Sequence, residues 1–211
     1  MRTVVSGLAE GNKIAFLLAS ILLLCLTYPF SELGTDAALM FAGVYLALIG
    51  SSIYLVSSDR RLLKGSVLLT AVIAISGGIT IASNFTAPLW IQLTWNMTIL
   101  AQLLLILSLL VTFIIQSESV SREVLFAAIA IYFILAALFA LAYGVIETFA
   151  PGAFVSSSGA AITWQRLTYF SLVTISTLGY GDIVPVAPAA QSLSAIEASL
   201  GTLYIAILIG R

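Results

Sequence analysis

Histidine is absent from these 211 residues, cysteine occurs once, and charge is sparse, with 8 Lys and Arg against 9 Asp and Glu. Each shortage excludes something. Without histidine there is no imidazole metal site and no imidazole pH sensor. The lone Cys25 cannot close an intrachain disulfide, and its apolar surroundings read as a small buried hydrophobe rather than a redox group or ligand. A net charge of −1 leaves no basic surface for nucleic acid. Charged residues make up only 8% of the chain. The usual share in a soluble domain is about 25%, so this composition rules out most enzymes and no catalytic residues are expected. In their place stands a chain that is 61% hydrophobic. A hydrocarbon core about 30 Å thick takes about 20 apolar residues per crossing, which leaves room for roughly six helices and no folded soluble domain.

Residues 14–30, 37–56, 66–83, 89–116, 124–149 and 192–211 form apolar runs, each long enough to span. The first follows Arg2 and Lys13 and so mimics a secretory signal. Its exit, from Tyr28 and Pro29 to Glu32, lacks the small-residue cleavage pattern, and it reads as a retained helix. Asp59, Arg60, Arg61 and Lys64 are expected to form a cytoplasmic loop. Arg2, Lys13, Arg60, Arg61, Lys64, Arg122 and Arg211 fall on one side of a six-crossing layout and only Arg166 on the other. Basic residues are retained on the cytoplasmic side, so both termini are expected there, in a multi-pass protein of the plasma membrane or of a bacterial inner membrane. Gln92 and Asn96 share a helix face and are expected to bond neighbouring helices. Ala74, Gly78 and Ala82 make a small-residue seam suited to close packing. Of the sequons at Asn84 and Asn96, the second lies inside a helix and is coincidental.

The long connection 150–191 holds a helical piece, residues 162–174, too short to cross the bilayer. Non-helical backbone at membrane depth is tolerated only inside protein or along a water-filled path, so this segment reads as re-entrant. After it come Thr174, Ile175, Ser176, Thr177, Leu178, Gly179, Tyr180, Gly181 and Asp182. Glycine adopts backbone dihedrals closed to other residues, which lets successive carbonyls turn toward one axis.

This stretch resembles the signature filter of the potassium channel family, TVGYG, with Thr177-Leu178-Gly179-Tyr180-Gly181 followed by Asp182. The resemblance extends from about Val124 to Arg211 and is weaker over the first four helices, which match a six-helix channel by count and topology only. It implies an all-α membrane protein with six transmembrane helices, a re-entrant pore helix and filter between the fifth and sixth, and a homotetrameric pore. Residues 1–121 would form a peripheral four-helix module and residues 122–211 the pore domain. Thr177, Leu178, Gly179 and Tyr180 would bind dehydrated K⁺, with Gly181 allowing the exit turn; no cofactor is implied beyond those ions. Leu178 stands where the family commonly has Val, and Ser176 where it has Thr.

Tyr169 and Phe170 would belong to an aromatic cuff around the filter. The Tyr169 hydroxyl either reaches Asp182 or the ring merely packs. Arg166 reads as a structural or vestibule charge. Glu147 either braces the pore region or is a bare interfacial carboxylate, and Glu197 is expected behind the filter. Gly201 matches an inner-helix hinge, with Thr202, Ile205 and Ile209 facing the cavity. The chain stops at Arg211, so either the gate is short or the sequence is truncated. Residues 89–116 contain no basic residue, which argues against a conventional voltage sensor. The expected function is passive K⁺ conduction; the alternative is a non-selective cation channel with a similar pore. A transporter, sensor or retinal-type receptor is weaker, because no span carries a Schiff-base Lys or a pair of buried carboxylates.

Overall fold

The computed structural model describes residues 12–32, 35–83 and 87–210; Arg2, Asn84, Arg211 and the side chains of Glu32, Asp36 and Ile209 lie outside the described residues. The chain runs α1 (Lys13–Thr27), a 3-10 turn (Tyr28–Glu32), α2 (Thr35–Val56), α3 (Arg60–Ala82), α4 (Leu89–Gln116) and α5 (Arg122–Phe149). Then follow β1 (Phe154–Ser156), α6 (Trp164–Ile175), β2 (Ile183–Pro185) and α7 (Pro188–Ile209). Among the described residues, five stretches can cross a membrane by length and composition: Lys13–Phe30, Arg60–Thr80, Leu89–Gln116, Arg122–Phe149 and Pro188–Leu208. Gly43–Val56 is a shorter apolar helix. The protein is therefore mostly helical, with a short two-stranded ribbon that the all-α expectation lacked. The chain divides into two compact units, Met1–Ile131 and Tyr132–Arg211.

In the first unit α1 packs on α2, α2 on α3 and α3 on α4. Arg60, Arg61 and Lys64 do not form a loop; they occupy the first turns of α3. The Asp59 carboxylate accepts from the backbone N–H groups of Arg61 (2.7 Å) and Leu62 (3.3 Å) and so caps the helix ahead of its apolar run. Arg, Leu and Lys are good helix formers, which lets the helix begin before the membrane segment does.

Hydroxyls in these helices bond back to their own backbone: Ser51 to Leu48 O, Ser76 to Val72 O and Thr80 to Ser76 O. With no water in hydrocarbon, the preceding turn is the nearest acceptor. Gln92 donates to the Ala87 carbonyl beside its own helix (2.7 Å). Gln102 reaches across, its buried amide donating to Ser66 Oγ at 2.8 Å and Ser52 Oγ at 3.2 Å, which ties α4 to α3 and α2. The buried Lys13 ammonium donates to Ser58 Oγ (2.7 Å) and lies 5.3 Å from the Tyr54 ring centroid.

The expected seam on α3 is also displaced. Ala74, Gly78 and Ala82 are exposed within the chain, whereas Ile73, Ser76, Gly77 and Thr80 are buried. The close approach falls at Gly77, where a Cβ would lie 2.8 Å from Trp95 Nε1; a Cβ on Gly78 meets nothing within 4 Å. Gly77→Ala should therefore destabilise the protein by about 1–3 kcal/mol through overpacking. Gly78→Ala should be neutral or stabilising by up to about 1 kcal/mol through helix propensity. Thermal unfolding of the two variants in detergent checks the pair, and equal losses would contradict this packing.

Candidate pore segment

The second unit is built around Tyr143, Ala153, Phe154, Leu167, Phe170, Ile183 and Ala190. Tyr143, Phe154 and Phe170 meet edge-on in all three pairings, with centroids 5.2–5.3 Å apart. Such pairs contribute about 0.5–1.5 kcal/mol each beyond area burial. Phe170, expected in a cuff around the filter, thus points into this core.

Two devices close the loops around it. The ribbon pairs Phe154 with Pro185, Val155 with Val184 and Ser156 with Ile183, antiparallel. The Ser157 N–H donates to the Asp182 carbonyl at 2.8 Å, extending the tie to the residue that follows the Gly-Tyr-Gly stretch. At the end of α5 the Glu147 carboxylate accepts from the backbone N–H of Gly152 (2.7 Å) and of Phe154 (3.2 Å), bracing the turn into β1. Arg166 lies in the first turn of α6 and donates to Ser156 Oγ at 3.3 Å.

Helix α6 starts at Thr163, whose hydroxyl accepts from the Arg166 N–H, and ends at Ile175, next to the segment of interest. Its carbonyl end, which carries partial negative charge, is therefore adjacent to residues 176–181. That segment is neither helix nor strand and is exposed throughout, with Leu178 at 55% and Tyr180 at 66%. It is held by the last turn of α6: Thr177 N–H donates to Thr174 O (2.9 Å), and Leu178 and Gly179 N–H both donate to Val173 O (3.0 and 3.4 Å).

Positive φ recurs at every second position, 59° at Thr177, 57° at Gly179 and 75° at Gly181. For the glycines this is free. For a β-branched threonine it is a strained conformation costing about 1–3 kcal/mol, which persists only where the surroundings impose it. Among the described residues no backbone N–H donates to a carbonyl of residues 177–181.

Of the other residues singled out in the sequence, Tyr169 stacks on Tyr180, with centroids 6.5 Å apart and planes 6° from parallel. Desolvation, then the neighbouring Asp182 carboxylate, push its phenol above the ordinary pKa. Glu197 is completely buried on α7. Its carboxyl takes a hydrogen bond from the Tyr143 hydroxyl of α5 and sits 2.5 Å from Ser171 Oγ of α6, which is also 2.7 Å from the Ala136 carbonyl. Gly201 is buried, and a Cβ there would lie 2.0 Å from the Ile175 carbonyl oxygen. Thr202 and Ile205 are on the exposed side of α7. Tyr143 and Ser171 went unnoticed in the sequence. The signal was available: an intramembrane carboxyl needs partners, and these are polar atoms in the neighbouring helices.

Residues 145–211 match the family model described as Ion channel. That segment is similar to ion-channel domains. The chain is 37% identical over 81 residues to the inward rectifier potassium channel Kirbac3.1 of Paramagnetospirillum magnetotacticum, covering 36% of this chain and 24% of that one. It is 41% identical over 59 residues to the two pore potassium channel c of Oryza sativa subsp. japonica, covering 28% and 13%. Two-pore potassium channel 4 of Arabidopsis thaliana is 44% identical over 43 residues, covering 20% and 15%. The chain thus spans about a quarter or less of the length of these relatives. No solved structure matches it at a significant level. By length and composition the apolar helices suit a multi-pass membrane protein.

Glu147→Ala should cost about 1 kcal/mol, the charged hydrogen bonds being discounted for partial exposure. Glu147→Gln, which keeps one acceptor, should cost less. Thermal unfolding together with amide exchange at Gly152 checks this; unchanged exchange at Gly152 in the alanine variant would remove the bracing role.

Proposed function

We propose that the chain is one subunit of a tetrameric, potassium-selective channel that conducts K⁺ passively through residues 177–181. The observation that carries this reading is the alternation of positive φ at Thr177, Gly179 and Gly181 along a segment whose carbonyls accept no backbone hydrogen bond among the described residues. Alternating handedness turns successive carbonyls to the same side of a chain. Four such segments around an axis would replace the hydration shell of a K⁺ ion, with Thr177, Leu178, Gly179 and Tyr180 as the ligating positions and Gly181 as the exit turn. One chain carries one such segment, so a ring requires four copies. The exposed Leu178 and Tyr180 support this, because irregular backbone at membrane depth must be covered by protein or line a water-filled path.

In this reading α6 is the re-entrant pore helix, α7 lines the path with Thr202 and Ile205, and α2 is a sixth span. Residues 1–121 form one module and residues 122–211 the pore domain. Both termini lie in the cytoplasm and the lipid-facing spans sit in the plasma membrane, or the inner membrane of a bacterium. Each charge crossing the field contributes about 2.3 kcal/mol per 100 mV, and α4 carries none. Gating by a conventional voltage sensor is not part of the proposal. The second reading, a non-selective cation pore, rests on Leu178 and Ser176 as departures from the commonest filter residues.

Current through the reconstituted protein, with K⁺ on one side and Na⁺ on the other, should reverse near the potassium potential and be blocked by Ba²⁺. Reversal near zero would establish the non-selective reading instead. Tyr169→Phe keeps the stack on Tyr180 and removes the hydroxyl that neighbours Asp182, so current should decay faster during sustained opening. Wild-type decay kinetics would leave Tyr169 as a packing residue only.

A further inference from the structure

Helices α6 and α7 touch at two levels that repeat along both. Glu197 of α7 meets Ser171 of α6; four residues further along each helix, Gly201 meets Ile175. Residues four apart share a helix face, so these are two rungs on one contact line. The upper rung is polar and fully buried, and Tyr143 joins it from α5. The lower rung is backbone against backbone, so close that a Cβ on Gly201 would overlap the Ile175 carbonyl oxygen. Helix α7 runs unbroken through Gly201, from Pro188 to Ile209.

We infer that Gly201 serves as a contact glycine rather than a bending point: with Glu197 it clamps α7 to the last turns of α6, and the clamp positions residues 177–179. The mechanical path is short. Ser171 and Ile175 bracket Val173, whose carbonyl holds the N–H groups of Leu178 and Gly179. Displacing α7 at this level displaces Ile175, and the turn that carries Ile175 is the turn on which the segment hangs. A hinge at Gly201 would need this face to open, which would expose the Glu197 carboxyl and break its bonds to Ser171 and Tyr143. A carboxyl stripped of partners inside the membrane is strongly disfavoured. Movement of α7 is therefore passed to the filter and not absorbed below it.

This inference rests on the reading of residues 177–181 as a filter, and the test separates the two. In the reconstituted full chain, wild-type reversal potential under opposed K⁺ and Na⁺ reports on the filter reading alone. The clamp is read by Ba²⁺ dwell time and by amide exchange at Leu178 and Gly179 in Gly201→Ala, Glu197→Ala and Glu197→Gln. Gly201→Ala and Glu197→Ala should change Ba²⁺ dwell and speed exchange at both amides by about threefold or more. Glu197→Gln, which keeps a hydrogen-bonding group of the same size, should restore most of both. If Gly201→Ala alters only open probability, with dwell and exchange as in wild type, Gly201 is a hinge and the clamp is wrong. Should Gly201→Ala fail to fold, the Glu197 pair decides: exchange in Glu197→Ala equal to that of wild type overturns the inference.

Discussion

Residues 177–181 leave the helical ladder, and the Val173 carbonyl is the point on which they hang. It accepts two N–H groups from a segment whose own carbonyls make no backbone bonds among the described residues. A backbone held this way at one end is only as stationary as the helix turn beneath it. The rest of the second unit holds that turn still. Phe170 locks the outer face of α6 into the aromatic core, Ser171 and Ile175 fix it to α7, and the ribbon together with Ser157 fastens the far end of the segment at Asp182. The strain at Thr177 belongs to the same account, since a β-branched residue keeps a left-handed conformation only where its neighbours leave no alternative.

Polar groups inside the apolar runs are used in two ways. Hydroxyls mostly return to their own helix. The longer groups reach across: Gln102 joins α4 to α2 and α3, Lys13 joins α1 to Ser58 in the turn after α2, and Glu197 joins α7 to α5 and α6. Bonds between membrane helices are individually small, about 0.6 kcal/mol on average. Their effect here is on register and orientation more than on total stability. The same logic explains why small residues matter only where a neighbour comes close. Gly77 and Gly201 are occupied by a neighbour's atoms, whereas Gly78, which looked equally suited to packing, faces away.

Much of the fold was legible because the membrane imposes a length on apolar runs. The bounds of α4 agree with the apolar run residue for residue, and α2, α5 and the re-entrant α6 agree to within about two. The start of α3 was misplaced because charge was read as loop, while the Asp59 cap and good helix formers carry the helix out past the apolar stretch. The ribbon was missed because strands of three residues have too few positions to show alternation. In the site, the resemblance to the potassium-channel filter singled out Thr177 to Asp182 and offered a contact of Tyr169 with Asp182 beside plain packing of the ring. The partners of Glu197 could not.

The sequence by itself determined that the chain is made of apolar helices of membrane length and which short segment departs from them. Length, apolarity and glycine spacing are properties of the chain read in order. Tertiary structure decided which residues meet: that Phe170 turns into the core while Tyr169 turns to Tyr180, that Glu147 braces the turn ahead of β1, and that Gly201 admits the Ile175 carbonyl. Those outcomes depend on the rotation of each helix about its axis, which packing sets, and an apolar helix carries little in its sequence to mark one face from another.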